Sequence, residues 1–170
     1  MIVATTIVVV MAGKLQDELG KRKPFACAEE EAFLSIIRTA DLLARSAAEM
    51  FKAHDLSSTQ YNVLRILRGT CPAGTSGLAC SAIADQMLTR DPDMTRLLDR
   101  LEKRGLISRA REEKDRRVVR TCITEKGLNV LAELDPVIAD CHRKHLGHIT
   151  PEQLKQLIEL LELAREKIAR

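Results

Sequence analysis

Three side chains able to bind a metal ion recur at helical spacing towards the C-terminal end of the sequence. Cys141, His145 and His148 stand at i, i+4 and i+7, so a helix would place them on one face, with His142 nearby. Thiolate and imidazole groups are common zinc ligands. The alternative is that residues 142–145 form a basic cluster, favoured by the negative end of a helix dipole. We favour the basic cluster, so the three residues are a secondary zinc candidate, and no cofactor is expected.

Thiol chemistry and catalysis find less support in the sequence. The five cysteines are odd in number and their spacing gives no disulfide framework, which is typical of reduced thiols in the cytoplasm. The sequence has no phosphate-binding glycine loop, nucleophile elbow or Ser/His/Asp arrangement. We therefore predict that the protein is not an enzyme and has no catalytic residues.

The first eleven residues are apolar and β-branched, but they do not predict export or membrane insertion. They lack the basic start of a signal peptide and are too short to span a bilayer. They could form a weak anchor or an extra strand, or precede a true start at Met11. We expect a cytoplasmic protein without a membrane partner.

A further set of charged residues has the spacing needed for nucleic-acid binding. Between Asp91 and Gly105, apolar residues recur at i, i+3, i+4 and i+7, which predicts an amphipathic helix. The apolar positions are Met94, Leu97, Leu98 and Leu101, and the polar stripe opposite them is Asp93, Arg96, Arg100 and Lys103. Asp91 is placed to cap this helix, Pro92 suits its first position, and Gly105 suits its left-handed end.

A charged hairpin is predicted directly after this helix. Two short strand-like runs, 106–111 and 118–124, flank a charged tip. From Lys103 to Arg120, eight Lys or Arg stand against three Asp or Glu, a net charge of +5, whereas the whole chain carries only +3. A helix sized for the major groove beside a basic hairpin is a winged-helix arrangement. With three Phe, one Tyr and no Trp, the chain has few platforms for base stacking, so single strands and RNA are not expected partners.

At these positions the sequence resembles the MarR family of bacterial transcriptional regulators. The resemblance rests on four segments in the family's order and spacing: IADQM at 83–87, MTRLLDRLEKRGLI at 94–107, DRR at 115–117 and TEKG at 124–127. It covers residues 28–170. It implies a mainly α fold with a small β-hairpin wing, that is, a winged helix-turn-helix with a helical dimerisation region built from both ends of the chain.

The resemblance also implies a role for each DNA-binding candidate on the helix. Asp93, Thr95, Arg96 and Arg100 would enter the major groove, where Arg bonds guanine O6 and N7 and Thr contacts the thymine methyl group. Asp93 has two possible roles, as an acceptor from cytosine or as a support for the helix N-terminus. Lys103 is expected to contact phosphate.

In the family's wing, an Asp-x-Arg pattern places the Arg in the minor groove and the Asp beside it as an orienting partner. The matching residues are Asp115 and Arg117, and a narrow minor groove attracts Arg through its enhanced negative potential. Lys114 and Arg116 are expected to contact phosphate. Arg90, in a turn where the family often has serine, completes the DNA-binding set.

The remaining segments are expected to position this lobe. Residues 1–27 are predicted to be an N-terminal arm that is partly disordered, with a loose polar part at 13–23. Residues 28–56 and 125–170 are predicted to form the helical dimerisation region, and 57–124 the winged helix-turn-helix lobe.

Capping signals and helix breakers predict the boundaries between these segments. The spacing of Ser57 and Gln60 predicts a capping box before a helix to Arg68, followed by a loop at 69–77 and a short helix at 78–87. Thr124 is predicted to cap a helix to about His148 that kinks at Pro136. A last helix is predicted after Thr150, with Pro151 at its first position.

The sequence therefore predicts a sequence-specific regulator of transcription that binds double-stranded DNA. A pseudo-palindromic operator would require a homodimer, since a two-fold site needs a two-fold protein. By resemblance, the usual mode is repression relieved by a small-molecule effector, often an anionic aromatic compound, bound between the dimerisation helices and the DNA-binding lobe.

Three alternatives stay open at this point. One branch of the family senses peroxides through a Cys near the start of the first helix. Cys27 lies there, although Phe33 stands closer to the sensing position. The others are a zinc-sensing regulator of the same fold and a winged-helix protein-interaction module without DNA binding.

Overall fold

The structure, a computed structural model, describes residues 14–70, 77–89, 91–112 and 118–168. The chain forms two compact units, residues 1–46 and 47–170. The described helices are α1 (Lys14–Glu18), α2 (Ala28–Lys52), α3 (Ser58–Thr70), α4 (Cys80–Asp85), α5 (Met94–Lys103), α6 (Glu125–Leu146) and α7 (Pro151–Glu166). The described strands are β1 (Leu78–Ala79), β2 (Ile107–Arg111) and β3 (Val119–Ile123). None of the described helices is long and apolar enough to cross a membrane.

The first unit is ordered where the sequence predicted a loose polar arm. The short helix α1 buries Leu15, and Phe25 is buried just before α2. The ammonium group of Lys21 lies 4.8 Å from the centre of the Phe25 ring, and it also donates to the carbonyl oxygen of Pro24. Part of the predicted arm therefore contains a helix and two buried apolar side chains.

The second unit is built around an apolar core to which α3, α4, α5 and α6 contribute. The side chains that are least exposed are Val63, Leu64, Leu67, Ile83, Leu98, Leu101, Leu106, Ile107, Leu131 and Leu134. The helical spacing of the leucines in α5 is what turns them all inward, as predicted. Each buried Leu contributes about 1.5–3 kcal/mol, so α5 is held by its apolar face and its charged face is left outside.

The sheet has three antiparallel strands in the order β1-β3-β2. In the predicted hairpin, Ile107 pairs with Ile123 and Arg111 pairs with Val119. The third strand was not predicted: Leu78 and Ala79 pair with Thr121 and Arg120, at a point where the sequence suggested the start of a helix. The expected helix at 78–87 was therefore wrong at its start, because two residues of strand give almost no periodic signal.

Helix termini follow the capping chemistry of the sequence, with one exception. Ser57 and Gln60 form a reciprocal capping box, as do Thr150 and Gln153. Thr124 accepts from the backbone N–H of Gly127 and caps α6.

The exception to the predicted capping is α5, whose cap is Asp93 and not Asp91. The carboxylate of Asp91 instead accepts from the backbone N–H of Asp93 at 2.9 Å, so it orders the turn before the helix. Gly105 ends α5 at a φ of +70°, as expected, and α6 continues through Pro136 without a break.

Gly127 should tolerate no side chain. A Cβ built there would collide with the carbonyl oxygen of Leu106 and lie 2.7 Å from Ile123 Cγ1, at the junction between the wing and α6. We expect Gly127→Ala to reduce the free energy of unfolding by about 1–3 kcal/mol, as overpacking does. A urea denaturation curve measures this, with Gly69→Ala as the control, because nothing lies within 4 Å of a Cβ at that position. Equal midpoints for the two variants would contradict the packing.

Candidate nucleic-acid interface

Helix α5 presents its charged face from a fixed position. Leu97, Leu98 and Leu101 are buried, at 6%, 2% and 0% exposure. Asp93 fixes the start of the helix, because its Oδ1 accepts from the backbone N–H of Arg96 at 3.1 Å. Its Oδ2 lies 3.1 Å from Arg96 Nε, so the same carboxylate also orients the guanidinium group.

The outward face of α5 carries the side chains that the sequence assigned to DNA. Thr95, Arg96, Arg100 and Lys103 are all exposed, and the side chain of Arg96 is 78% exposed. In the described part of the chain, Arg100 and Lys103 have no ion pair. A row of cations on a rigid helix is the chemistry needed to bond base edges and phosphates in a major groove. Of the two roles considered for Asp93, the structure shows helix capping.

The wing is attached to α5 by an ion-pair cluster that the sequence reasoning missed. The Nη2 atom of Arg109, on β2, lies 2.6 Å from both Asp99 Oδ1 and Glu102 Oε2, and its Nε donates to the same Glu102 oxygen at 2.9 Å. These hydrogen bonds hold the pKa of the Glu102 carboxyl below its ordinary value and raise the pKa of Arg109. The i, i+3 spacing of the two acids on one helix face was the signal that could have revealed the cluster.

Part of the positive charge counted between Lys103 and Arg120 is therefore neutralised by ion pairs or bonded to backbone carbonyl oxygens within the protein. Arg109 is paired with two acids, and Arg120 lies 2.9 Å from Glu112 across the hairpin. Arg104 donates to the carbonyl oxygens of His54 and Asp55. Among the described cations of α5 and β2, Arg96, Arg100, Lys103 and Arg111 are exposed at the surface. Arg90 and the predicted wing contacts Lys114, Asp115, Arg116 and Arg117 lie outside the described residues.

Comparison with known proteins shows which family has this arrangement. The sequence profile of the MarR family matches residues 56–119. The crystal structure of a MarR transcription factor from Planctomyces limnophilus is 41% identical in sequence and superposes with a TM-score of 0.63, covering 82% of this chain and 98% of that one. The chain belongs to the MarR family.

Two solved structures of lower sequence identity match in fold. The Staphylococcus aureus MepR protein, solved as a complex with DNA, is 20% identical with a TM-score of 0.69, covering 80% of this chain and 96% of that one. BpsR from Bordetella bronchiseptica, whose DNA binding is regulated by 6-hydroxynicotinic acid, is 17% identical with a TM-score of 0.69, covering 80% and 99%. The winged-helix prediction made from the sequence is thereby confirmed.

A largely apolar cavity of about 360 Å³ lies in the second unit of this MarR protein. Its lining residues are Ala47, Met50, Phe51, Ser58, Tyr61, Asn62, Arg65, Leu88, Ile138 and His142. Tyr61 stacks on Phe51 at 4.7 Å between ring centres, and burial raises the pKa of its hydroxyl group. Arg65 donates to Asn62 Oδ1 at 2.9 Å, which holds a guanidinium group at the cavity wall.

The secondary metal and thiol candidates come together only in part. His145 Nδ1 lies 2.8 Å from the carbonyl oxygen of Cys141 and 3.6 Å from its sulfur. Within the described ranges, no three His, Cys, Asp or Glu residues lie close enough to hold a metal ion, so His148 does not complete a set. Cys27 is exposed. The pKa of the Glu29 carboxyl is lowered, mainly by a hydrogen bond from a backbone N–H and secondly by a hydrogen bond with Cys27.

Proposed function

We propose that this protein is a sequence-specific regulator of transcription that binds double-stranded DNA as a homodimer and acts as a ligand-responsive repressor. The observation that carries the proposal is the exposed cationic face of α5, held by a buried leucine face and tied to the wing by Arg109. Membership of the MarR family and the likeness to MepR in its DNA complex support it.

In this proposal the helix and the wing have different tasks. Arg96 and Thr95 stand at the start of α5 and read base edges in the major groove, where each good bidentate contact contributes about 1–3 kcal/mol of discrimination. Arg100 and Lys103 lie one and two turns further along and meet the groove wall. Arg117, by its match to the family's wing pattern, is assigned to the minor groove.

Homodimer formation is supported by apolar surface that the single chain leaves uncovered. Helix α7 buries none of its residues, yet it carries several large apolar side chains. The most exposed apolar residues of α2 and α7 are Phe33, Ile36, Ile37, Leu42, Ile158, Leu160 and Leu163. Several large apolar side chains exposed on one helix mark an interaction site, and this holds for α2 and for α7. We assign residues 28–56 and 125–170 to a dimerisation region and 57–124 to the DNA-binding lobe, preceded by the arm at 1–27.

A small-molecule effector is supported by the cavity of about 360 Å³. Its walls are largely apolar, while Arg65 offers positive charge, so an anionic aromatic compound fits its chemistry. Since Leu88 also lines this cavity and lies between α4 and α5, a bound ligand would bear on the turn that places the reading helix. Relief of repression follows if the ligand favours a placement that does not fit the groove.

Arg96→Ala should weaken binding to the specific site by about 1–3 kcal/mol and relax the preference at one base pair in each half-site. Arg143→Ala is the matched control: it has the same i, i+3 pairing with an Asp and a similar side-chain exposure, 75% against 78%, but lies on α6. The measurement is a binding titration against single-base-pair changes in DNA recovered by the protein from its own genome. Unchanged base preferences in Arg96→Ala would overturn the assignment of α5 as the reading helix.

A further inference from the structure

A basic cleft of about 560 Å³ opens at the far end of the α5 stripe, where the end of α2 and the start of α3 face the second half of α5. Its lining residues are Lys52, Asp55, Leu56, Ser57, Gln60, Arg100, Lys103 and Arg104. Four cations thus stand around one opening against a single carboxylate. Arg100 and Lys103 also belong to the α5 stripe, whereas Lys52 comes from the end of α2.

The walls of the cleft are rigid. Arg104 donates to the carbonyl oxygens of His54 and Asp55, which pins the α2–α3 connection onto the end of α5. Asp55 takes up a positive φ of 53°, a conformation uncommon outside glycine that this connection maintains. The reciprocal bonds between Ser57 and Gln60 fix the first turn of α3. The cleft is therefore preformed, and the side chains of Lys52, Arg100 and Lys103 stand at its rim.

The cations at the rim differ in whether they already form an ion pair with a carboxylate. Arg100 and Lys103 have no ion pair in the described part of the chain, whereas Lys52 Nζ lies 2.6 Å from Glu49 Oε1. Both members of that pair are 69% exposed, so the pair is weak and solvent competes for it. The carboxylate of Asp55 is 97% exposed, and its distance of 3.9 Å from Arg104 Nη1 is long for an ion pair. It therefore does not neutralise the positive charge of the cleft.

From this geometry we infer that the cleft binds a phosphate group through Lys52 and Lys103, and that the backbone of duplex DNA supplies it. The inference rests on the proposed function, because Arg100 belongs both to the cleft and to the α5 stripe. The stripe of α5 leads into the cleft. When Arg96 lies in the major groove, the phosphates along one wall of that groove therefore come within reach of Lys52. The contact carries no base information, since it is made to the backbone alone.

Lys52→Gln and Lys103→Gln test the inference on a duplex of random sequence as well as on recovered genomic DNA. Each phosphate contact contributes about 0.9 to the slope of log affinity against log salt, so each variant should flatten the slope by about 1 per protomer. Near 0.1 M salt this is roughly a tenfold loss of affinity per contact, on both DNAs alike. Lys23→Gln, which removes an exposed lysine of the N-terminal arm, is the control.

Glu49→Gln gives a readout that a structural role of Lys52 would not produce. It releases the lysine, so DNA binding should tighten by roughly two- to fivefold, the worth of a surface ion pair. Asp17→Asn, which removes one exposed carboxylate on α1, is the control for the change in net charge and should leave the affinity unchanged. No gain in Glu49→Gln would overturn the role of Lys52.

Three further outcomes show whether the cleft assignment, the proposed function or the source of the phosphate is wrong. If the wild-type protein binds DNA but Lys52→Gln and Lys103→Gln keep its slope and affinity, the cleft assignment is overturned and the proposed function stands. If neither the wild type nor any variant binds duplex DNA, both are overturned. In the third outcome, pyrophosphate binds the DNA-free protein at micromolar concentration, while a variant that carries both Lys52→Gln and Lys103→Gln keeps full DNA affinity. The site then binds a free phosphorylated molecule, and the assignment to DNA is overturned.

Discussion

Raising the salt concentration from 50 to 200 mM should weaken binding of the protein to duplex DNA by roughly 10³–10⁵. The reason is the release of condensed counterions: a dimer that neutralises six to ten phosphates has a slope of about −0.9 for each of them. The exposed cations Arg100 and Lys103 on α5 and Lys52 at the end of α2 supply such contacts, twice in a dimer. Fluorescence anisotropy of a labelled duplex across this salt range measures the slope.

The internal ion pairs provide the control for this salt dependence. Arg109 is bonded to Asp99 and Glu102 and is not free to neutralise phosphate, so Arg109→Gln should disturb the wing without a matching fall in slope. Arg100→Gln removes an unpaired cation of the same chemistry and should flatten the slope by about 1 per protomer. A flat affinity across the salt range in the wild type would exclude DNA as the partner.

These cations also show how far sequence reasoning reached. The leucine spacing of α5 predicted which face is buried and hence which charged side chains are exposed. With 3.6 residues per turn, this spacing places all the leucines on one face of the helix and the charged residues on the other. Counting charge from Lys103 to Arg120 could not show that Arg109 and Arg120 are neutralised, because their partners depend on the hairpin register. The cap of α5 was misassigned for a similar reason. Asp91 and Asp93 both suit a cap by type, and only the path of the turn decides between them.

The cleft and the cavity were beyond what the sequence could predict. Lys52 stands at the end of a long helix and belongs to no sequence motif. It lines the same cleft as Lys103 only because the tertiary fold brings α2 and α5 together. Likewise Arg65 and His142 are far apart in the sequence and line one cavity because α3 and α6 pack together. Strand β1 escaped because two residues cannot show alternation.

Replacing Leu160 and Leu163 on α7 by Glu should convert the protein to a monomer and weaken its binding to a two-fold operator by about 10²–10⁴, the loss expected when two linked contacts become independent. These side chains are 65% and 62% exposed, so a single chain loses no buried contact when they change. Two buried carboxylates in each protomer would, however, oppose closure of an apolar interface. Analytical ultracentrifugation measures the mass, and anisotropy measures the affinity.

A control on the same helix separates dimer loss from general effects of charge. Glu159→Ala with Glu162→Ala changes the same number of residues on α7 and should leave both mass and affinity unchanged. Deleting residues 150–170 should be more severe, because the apolar side chains that α7 covers in a dimer would face solvent, and we expect unfolded or aggregated protein. A folded, soluble monomer from this deletion, or a dimer from the double Glu variant, would contradict the assignment of the dimerisation region.

The order of the strands places β2 at one edge of the sheet, and an edge strand is a template on which another chain can pair. Strand β2 has only five residues, and two of them, Arg109 and Arg111, are charged, while β1 at the opposite edge has only two residues. Charge and shortness are the devices that keep such edges from joining into aggregates. The charged side chains of β2 therefore oppose pairing of this edge with another chain. Variants that neutralise Arg111 to reduce non-specific DNA binding should become more prone to self-association through β2.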